Sequence, residues 1–479
     1  MRAHTISRYV GLVLLFNAVF LFISFLVSLF NSDSAIYPLL YSFLVTSLFG
    51  IFPLIFVPKS DFISKEEGFL IVILSWLIVA LFGALPFILW GGEFSLTNAW
   101  FESVSGYTTT GSSILTDVEV LPKGLLFWRS ATHFIGGVGI IVLALVVLPN
   151  LGHARFVLLR SELSPLAGTN FKFQTRKVLQ ILLYVYCGLI LTETILLSIF
   201  GMKPFDALLH SFATIATGGF STKNLSIAHY GSQVIEITII GFMILSGIHF
   251  GLLFATITGL SFNVFKSTVV RFYIFLMLTG IVLVTADLYL NNIYSLFESL
   301  RFSAFQVISL GTSTGFATAD SAKWSGFTHM ILIFFTILCA CAGSTSGGIK
   351  VERLIIFLKA IKNQVLLLHH PRGVFTIKLD SNTVADDIVR NALVFIVLYI
   401  VIVFLSSIVL AGFGVDSTTA LSASAATMGN VGPGFGAVSS LENYSTIPDA
   451  AKWVLTANML LGRLEIYGFI SLFVLKTWR

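Results

Sequence analysis

Apolar runs of membrane-spanning length recur along the chain. They fall at 10–30, 36–57, 68–90, 126–149, 178–201, 234–260, 269–290, 327–350, 389–412 and 452–475. A helix needs roughly 20 such residues to cross the hydrocarbon core, so each run predicts a membrane helix. The first two read as a hairpin over 1–65. The remaining eight form four pairs, over 66–152, 176–262, 268–352 and 389–479. A semi-polar stretch separates the members of each pair. It begins helix-like and ends in Thr, Ser and Gly, near 105–113, 213–222, 310–318 and 427–435. A basic segment, 353–388, lies between the third and fourth pairs.

Composition agrees with this pattern. The chain of 479 residues is 56% hydrophobic and only 11% charged, against about 25% charged in a soluble domain. So few charges cannot cover a water-facing surface, and the 46 phenylalanines suit a lipid-facing wall. A net charge of +5 would point to nucleic acid in a soluble protein, but the positive-inside bias explains it better here. Of 28 Lys and Arg, all but Lys123, Arg129, Lys203, Lys223, Arg301, Lys323, Lys452 and Arg463 fall on one side when the runs alternate across the bilayer. That side is the cytoplasm, and both termini and the segment 353–388 belong to it. All four Thr/Gly stretches then face outward. The run at 10–30 is longer than a signal-peptide core and no small-x-small site follows it, so it reads as a retained helix. Cys187, Cys339 and Cys341 all lie in apolar runs, which predicts no disulfide framework, and their spacing fits no zinc site.

The four outer stretches align with one another. They read Ser105-Gly106-Tyr107-Thr108-Thr109-Thr110-Gly111, Ala213-Thr214-Ile215-Ala216-Thr217-Gly218-Gly219, Leu310-Gly311-Thr312-Ser313-Thr314-Gly315-Phe316 and Thr427-Met428-Gly429-Asn430-Val431-Gly432-Pro433. Aligning Gly111, Gly218, Gly315 and Gly432 places Thr or Val before each glycine. Non-helical backbone at membrane depth must line a cavity or be buried in protein. Carbonyls aimed into a pore can replace the hydration shell of a cation, as in the TVGYG loops of potassium channels. Glycine tolerates φ > 0, and small neighbours let four strands approach one axis. The alternative is that Thr and Gly only help helices pack. Four matches on one side of the membrane favour a selectivity filter. The candidate ligands of a monovalent cation are Thr109, Thr110, Gly111, Ala216, Thr217, Gly218, Ser313, Thr314, Gly315, Asn430, Val431 and Gly432. The expected fold is an all-α polytopic membrane protein, with the hairpin and four helix–pore-loop–helix repeats around one pseudo-fourfold pore. No stretch carries a complete TVGYG, and Pro433 should stiffen the mouth and break strict symmetry.

The chain resembles the TrkH/TrkG/KtrB superfamily of K⁺ transporters, and most closely its TrkH members, over nearly the whole length. The resemblance rests on Thr108-Thr109-Thr110-Gly111, Ala216-Thr217-Gly218-Gly219-Phe220-Ser221-Thr222 and Thr314-Gly315-Phe316. It extends to Phe127-Trp128-Arg129-Ser130, Ile135-Gly136-Gly137-Val138-Gly139-Ile140-Ile141 and Leu460-Leu461-Gly462-Arg463-Leu464-Glu465. The N-terminal hairpin resembles TrkH rather than KtrB-like members. In the superfamily a serine for the first-loop glycine goes with sodium permeation, so Gly111 implies K⁺ at the filter. The resemblance also implies a bacterial inner-membrane location, a homodimer and a cytoplasmic TrkA-like nucleotide-binding ring as regulator.

Two further features concern gating. The run 327–350 ends in Ala342-Gly343-Ser344-Thr345-Ser346-Gly347-Gly348, a poor helix interior because each Gly costs about 1 kcal/mol against Ala. It is either a C-cap or an unwound segment crossing the pore. Arg463 lies mid-way along the last run, where a charge costs about 2.5–3.5 kcal/mol and must face the bundle interior. Glu465 at i+2 points elsewhere. Arg463 thus makes a salt bridge to another helix or stands in the pore. The resemblance implies a gate made of Gly343, Ser344, Thr345, Ser346, Gly347, Gly348 and Arg463.

Glu102 reads either as a source of negative potential at the mouth or as a hydrogen-bonding residue. Glu193 and Asp287 read as packing positions, and His249 as a satisfied core histidine. Enzyme motifs such as HExxH, Walker A and a GxSxG elbow are absent, so no catalysis and no organic cofactor are expected. The rival to a pore is a K⁺ symporter coupled to H⁺ or Na⁺, because broken helices also mark transporters. Repeats of one orientation favour the pore. A non-conducting scaffold is the third possibility.

Overall fold

The computed structural model describes residues 2–58, 63–147, 175–259, 264–380, 382–464 and 466. Glu465 and the basic residues Lys59, Arg155, Arg160, Lys172, Lys476 and Arg479 lie outside the described residues. Helices α1 (Ala3–Asn31) and α2 (Ile36–Phe56) form the hairpin. It packs through α1 on α3 (Lys65–Trp90) and α5 (Lys123–Val147). Its far face exposes Leu48, Phe52, Ile55 and Phe56, a contiguous apolar surface that lipid covers and water would not.

Each repeat opens with a long apolar helix: α3, α6 (Thr175–Ile199), α10 (Thr268–Leu290) and α14 (Asp386–Gly412). A short helix follows: α4 (Leu96–Tyr107), α7 (Pro204–Ile215), α11 (Leu296–Gly311) and α15 (Ser417–Met428). Polar caps start three of them. Ser95 accepts from the Asn98 N–H, Ser295 from Glu298 in a capping box, and Asp416 from Thr418 and Thr419. Pro204 fills the first turn of α7, where its missing N–H costs nothing. Twelve residues, the length of α4, α7 and α15, rise only about 18 Å. Such helices are too short to cross a hydrocarbon core of about 30 Å.

The second helices are α5, the bent pair α8 (Gln233–Ser246) and α9 (Phe250–Ile257), α12 (Gly326–Ile337) and α16 (Asp449–Arg463). Each packs on its own short helix and on that of another repeat. Thus α5 bridges α4 to α7, α8 bridges α7 to α11, α12 bridges α11 to α15, and α16 bridges α15 back to α4. The cycle closes, which gives the pseudo-fourfold arrangement. The fold is the all-α polytopic architecture expected.

The helices differ from the ten spans expected, of which only the eighth was expected to be broken. Among the described residues six are long and apolar enough to cross a membrane: α1, α2, α3, α6, α10 and α14. The shortfall lies in the second helices. α8 and α9 meet at 104°, a break in repeat two that the sequence reading missed. α12 stops at Ile337, where Leu338–Cys339 (β1) pairs in parallel with Ile349–Lys350 (β2) and closes off 340–348 as a loop. The runs containing α5 and α16 extend past the described residues. The basic stretch 353–388 is largely helix α13 (Val351–His369) followed by a two-residue strand pair, Lys378–Leu379 with Asn382–Thr383.

Candidate functional site

The four short helices end alike. A capping residue (Thr108, Ala216, Thr312, Gly429) follows each. Next comes a residue with left-handed φ: Thr109 at 52°, Thr217 at 55°, Ser313 at 58° and Asn430 at 52°. Two positions on is a glycine, also left-handed: Gly111 at 81°, Gly219 at 81°, Gly315 at 80° and Gly432 at 96°. Loops one, three and four therefore align as the sequence suggested. Loop two is shifted by one. Gly219, not Gly218, is the counterpart of Gly111, the triplet is Thr217-Gly218-Gly219, and Ala216 falls back to the helix cap. Two adjacent glycines are indistinguishable in sequence, and only the sign of φ separates them. A non-glycine residue in this region costs roughly 1–2 kcal/mol. Repeating that strain four times at one level is a mark of a functional backbone.

The glycines interlock around a ring. A methyl group built on Gly111 would lie 2.1 Å from the Gly218 carbonyl oxygen. One on Gly219 would lie 2.1 Å from that of Thr314, and one on Gly315 2.1 Å from that of Val431. One on Gly432 would lie 2.6 Å from that of Thr110. Each glycine thus packs against the carbonyl preceding the glycine of the next loop, and the fourth contact returns to the first loop. The carbonyls of Thr110, Gly111, Gly219, Thr314, Gly315 and Val431 accept no hydrogen bond among the described residues. Buried carbonyls are ordinarily paired. Unpaired and gathered in a ring, they form a cluster of oxygen acceptors with no partner among the described residues.

Polar contacts behind the ring hold the loops. Glu102, fully buried, takes the Arg129 Nε–H at 2.6 Å and the Ile114 N–H at 3.0 Å. Its role is structural, not a source of free negative potential. Arg129 also donates to the Ser221 carbonyl at 2.9 Å and covers the Phe220 ring at 3.6 Å. On the other face of Phe220, His133 stacks at 4.1 Å. His133 donates through Nδ1 to Gly106 and accepts the Phe220 N–H at Nε2. The rim is also stitched in a cycle. Asn224 joins Asp117 and Val118, Ala228 bonds Ala317, Ser440 bonds Ala319, and Tyr444 bonds Ser113. The Asn224 amide holds the exposed Asp117 carboxyl below the usual carboxylate range.

Beneath the ring lies the segment the sequence singled out. Gly343 and Gly348 have φ of 75° and 65°. Ser344 bonds Cys341 and Ser346. Thr345 Oγ1 donates to the Ile215 carbonyl at 2.8 Å, and the Gly347 N–H to Ser313 Oγ at 3.1 Å. Gly347 also abuts the Gly429 carbonyl. Lys350 Nζ clamps Ser346, and the Glu352 carboxylate accepts the Ala342 N–H. The segment therefore touches the bases of loops two, three and four. Arg463, buried, donates to the Thr345 carbonyl and to that of Gly136 at 2.9 Å. Gly136 packs against the Tyr107 carbonyl at the base of loop one. Four helix C-termini converge here, each with a partial charge of about −0.5, and Arg463 is a cation placed among them.

The break between α8 and α9 belongs to the same assembly. Phe250 N–H bonds the Gly343 carbonyl, Cys341 N–H bonds that of Gly247, and His249 caps α9 through Nδ1. His249 is thus a capping residue against the segment rather than a plain core histidine. Its Ser246-Gly247 neighbours were the available signal, since such pairs favour kinks. Asp287 accepts from Ser325 and Thr328 and ties α10 to α12. The three cysteines are free. Lys350, Ser313 as a hydroxyl acceptor for the Gly347 N–H, and His133 were missed in the sequence. Ser313 and Gly347 are distant along repeat three, Lys350 turns back onto Ser346 of its own loop, and His133 links repeats one and two.

Long apolar helices carrying short helices in fourfold array around unpaired carbonyls define a polytopic all-α membrane transport protein. The family model TrkH, described as a cation transport protein, matches residues 40–477. The chain belongs to the TrkH family. It is 35% identical, across all of both chains, to the Trk system potassium uptake proteins TrkH of Salmonella typhimurium and Escherichia coli K12. The TrkI protein of Halomonas elongata is 34% identical over 86% of this chain and 84% of its own. The crystal structure of the potassium transporter TrkH from Vibrio parahaemolyticus superposes with a TM-score of 0.89. It covers all of both chains at 32% identity.

Proposed function

We propose that the chain takes up K⁺ across the bacterial inner membrane through one gated pore per chain. The observation that carries this reading is the closed cycle of glycine-to-carbonyl contacts among the four loops, with adjoining carbonyls left unpaired. The relatives' names, potassium uptake proteins and a potassium transporter, support K⁺ as the substrate. The ligands are main-chain oxygens of Thr109-Thr110-Gly111, Thr217-Gly218-Gly219, Ser313-Thr314-Gly315 and Asn430-Val431. The segment 343–348 and Arg463 close the path beneath them, and opening requires the segment to leave the loop bases. The membrane potential, about 2.3 kcal/mol per charge per 100 mV, drives entry. Regulation comes from a cytoplasmic TrkA-like nucleotide-binding ring on the basic inner face, and the working unit is a homodimer with both termini in the cytoplasm.

The test is K⁺-tracer uptake into liposomes holding the purified chain, at a set voltage. Uptake that follows voltage without a fixed H⁺ or Na⁺ stoichiometry supports the pore. Uptake locked to a co-ion supports a symporter, and none at all supports a scaffold.

A further inference from the structure

The four loops differ at one carbonyl. Those of Gly111, Gly219 and Gly315 accept no hydrogen bond among the described residues, but that of Gly432 accepts two. The Tyr444 hydroxyl donates to it at 2.7 Å and the Ser112 hydroxyl at 3.3 Å. Tyr444 is buried, its ring packs on Phe101 of α4, and its own N–H bonds the Ser113 carbonyl at 2.8 Å. The hydroxyl therefore pulls from the side of the first short helix. A carbonyl oxygen has two lone pairs, and both are engaged. The backbone records the same difference. Gly432 has φ of 96° where its three counterparts have 80–81°, and its contact to the next loop is 2.6 Å rather than 2.1 Å.

We propose that Tyr444, with Ser112, holds the Gly432 carbonyl away from the ion, so that the glycine-level ring offers three main-chain ligands and leaves its fourth quarter to water. Tyr444 is then a positioning residue that sets cation affinity and selection at the outer site. The inference rests on the pore reading above. Proline at 433 suits this arrangement, since it stiffens the backbone just beyond the carbonyl being held.

The experiment compares the wild-type chain with Tyr444→Phe, Ser112→Ala and the double variant. Each is purified whole and reconstituted in liposomes. The readouts are half-saturating external K⁺, maximal flux at fixed voltage, and competition by Na⁺ and Rb⁺. A freed carbonyl adds a fourth ligand. The half-saturating K⁺ concentration should fall about threefold to tenfold in Tyr444→Phe, equivalent to part of one tenfold step in affinity. It should fall further in the double variant, with maximal flux changing less and the Na⁺/Rb⁺ competition order shifting. Half-saturation and ion order that stay at wild-type values would overturn the proposal. So would a loss of maximal flux and thermal stability alone, which would make Tyr444 merely structural. If Tyr444→Phe fails to fold, Ser112→Ala carries the same expectation at smaller size. Absence of K⁺ flux in the wild type would sink the pore reading itself. Normal wild-type flux with insensitive variants would sink only this inference.

Discussion

Arg463→Ala should open the pore. The guanidinium donates to the Thr345 and Gly136 carbonyls and so ties the segment 343–348 to the base of the first repeat. A hydrogen bond from a charged donor contributes about 1.5–3 kcal/mol. Losing two removes roughly 3 kcal/mol from the closed arrangement at the low end of that range. At 1.4 kcal/mol per factor of ten this is about 150-fold in the closed-to-open ratio. A resting open fraction of about 1% would rise to about 60%. Arg463→Met keeps more of the packing beside Trp76, which lies 5.9 Å from the guanidinium, and should act in the same direction. The assay is basal K⁺ flux in liposomes without any regulator, normalised to protein, with melting temperature recorded for each variant. Unchanged or reduced flux in variants that melt like the wild type would refute the assignment of Arg463 to the closed state.

Further outcomes follow from the ring and its supports. Gly219→Ala should abolish flux, because a methyl there lies 2.1 Å from a backbone oxygen at φ 81°; retained flux in the tracer assay would count against the shifted register. Gly111→Ser should weaken discrimination of K⁺ from Na⁺, read as a shift of reversal potential in mixed salt. Glu102→Gln should lower stability by about 3 kcal/mol or more, since it leaves the buried Arg129 charge uncompensated; denaturation in detergent measures it. Asp117 has a folded pKa below its usual value, so its contact with Asn224 persists at neutral pH and is lost as pH falls through that lowered pKa. Asp117→Asn should flatten the acid limb of the melting-temperature profile.

The membrane class, the hairpin and the four repeats were legible because apolar run length and Lys/Arg placement report them directly. The short helices were legible as helix-like segments ending in Thr, Ser and Gly, whereas their starts at Ser95, Pro204, Ser295 and Asp416 emerged only in the structure. The loop-two register was not, because Gly218 and Gly219 carry the same side chain and differ only in backbone sign. The break at Gly247 was hidden inside an apolar run, since hydropathy does not register a bend that docks on Gly343. The clamp on Gly432 joins Ser112 to Tyr444, residues of the first and fourth repeats. Only closure of the fourfold cycle brings such partners together.

Crystals of the chain grown in Rb⁺ or Tl⁺ and measured at the absorption edge would probe the central claim most directly. The account predicts anomalous density on the pseudo-fourfold axis, level with the carbonyls of Thr110, Gly218, Thr314 and Val431. Density confined to other parts of the molecule, in protein that conducts K⁺, would contradict it.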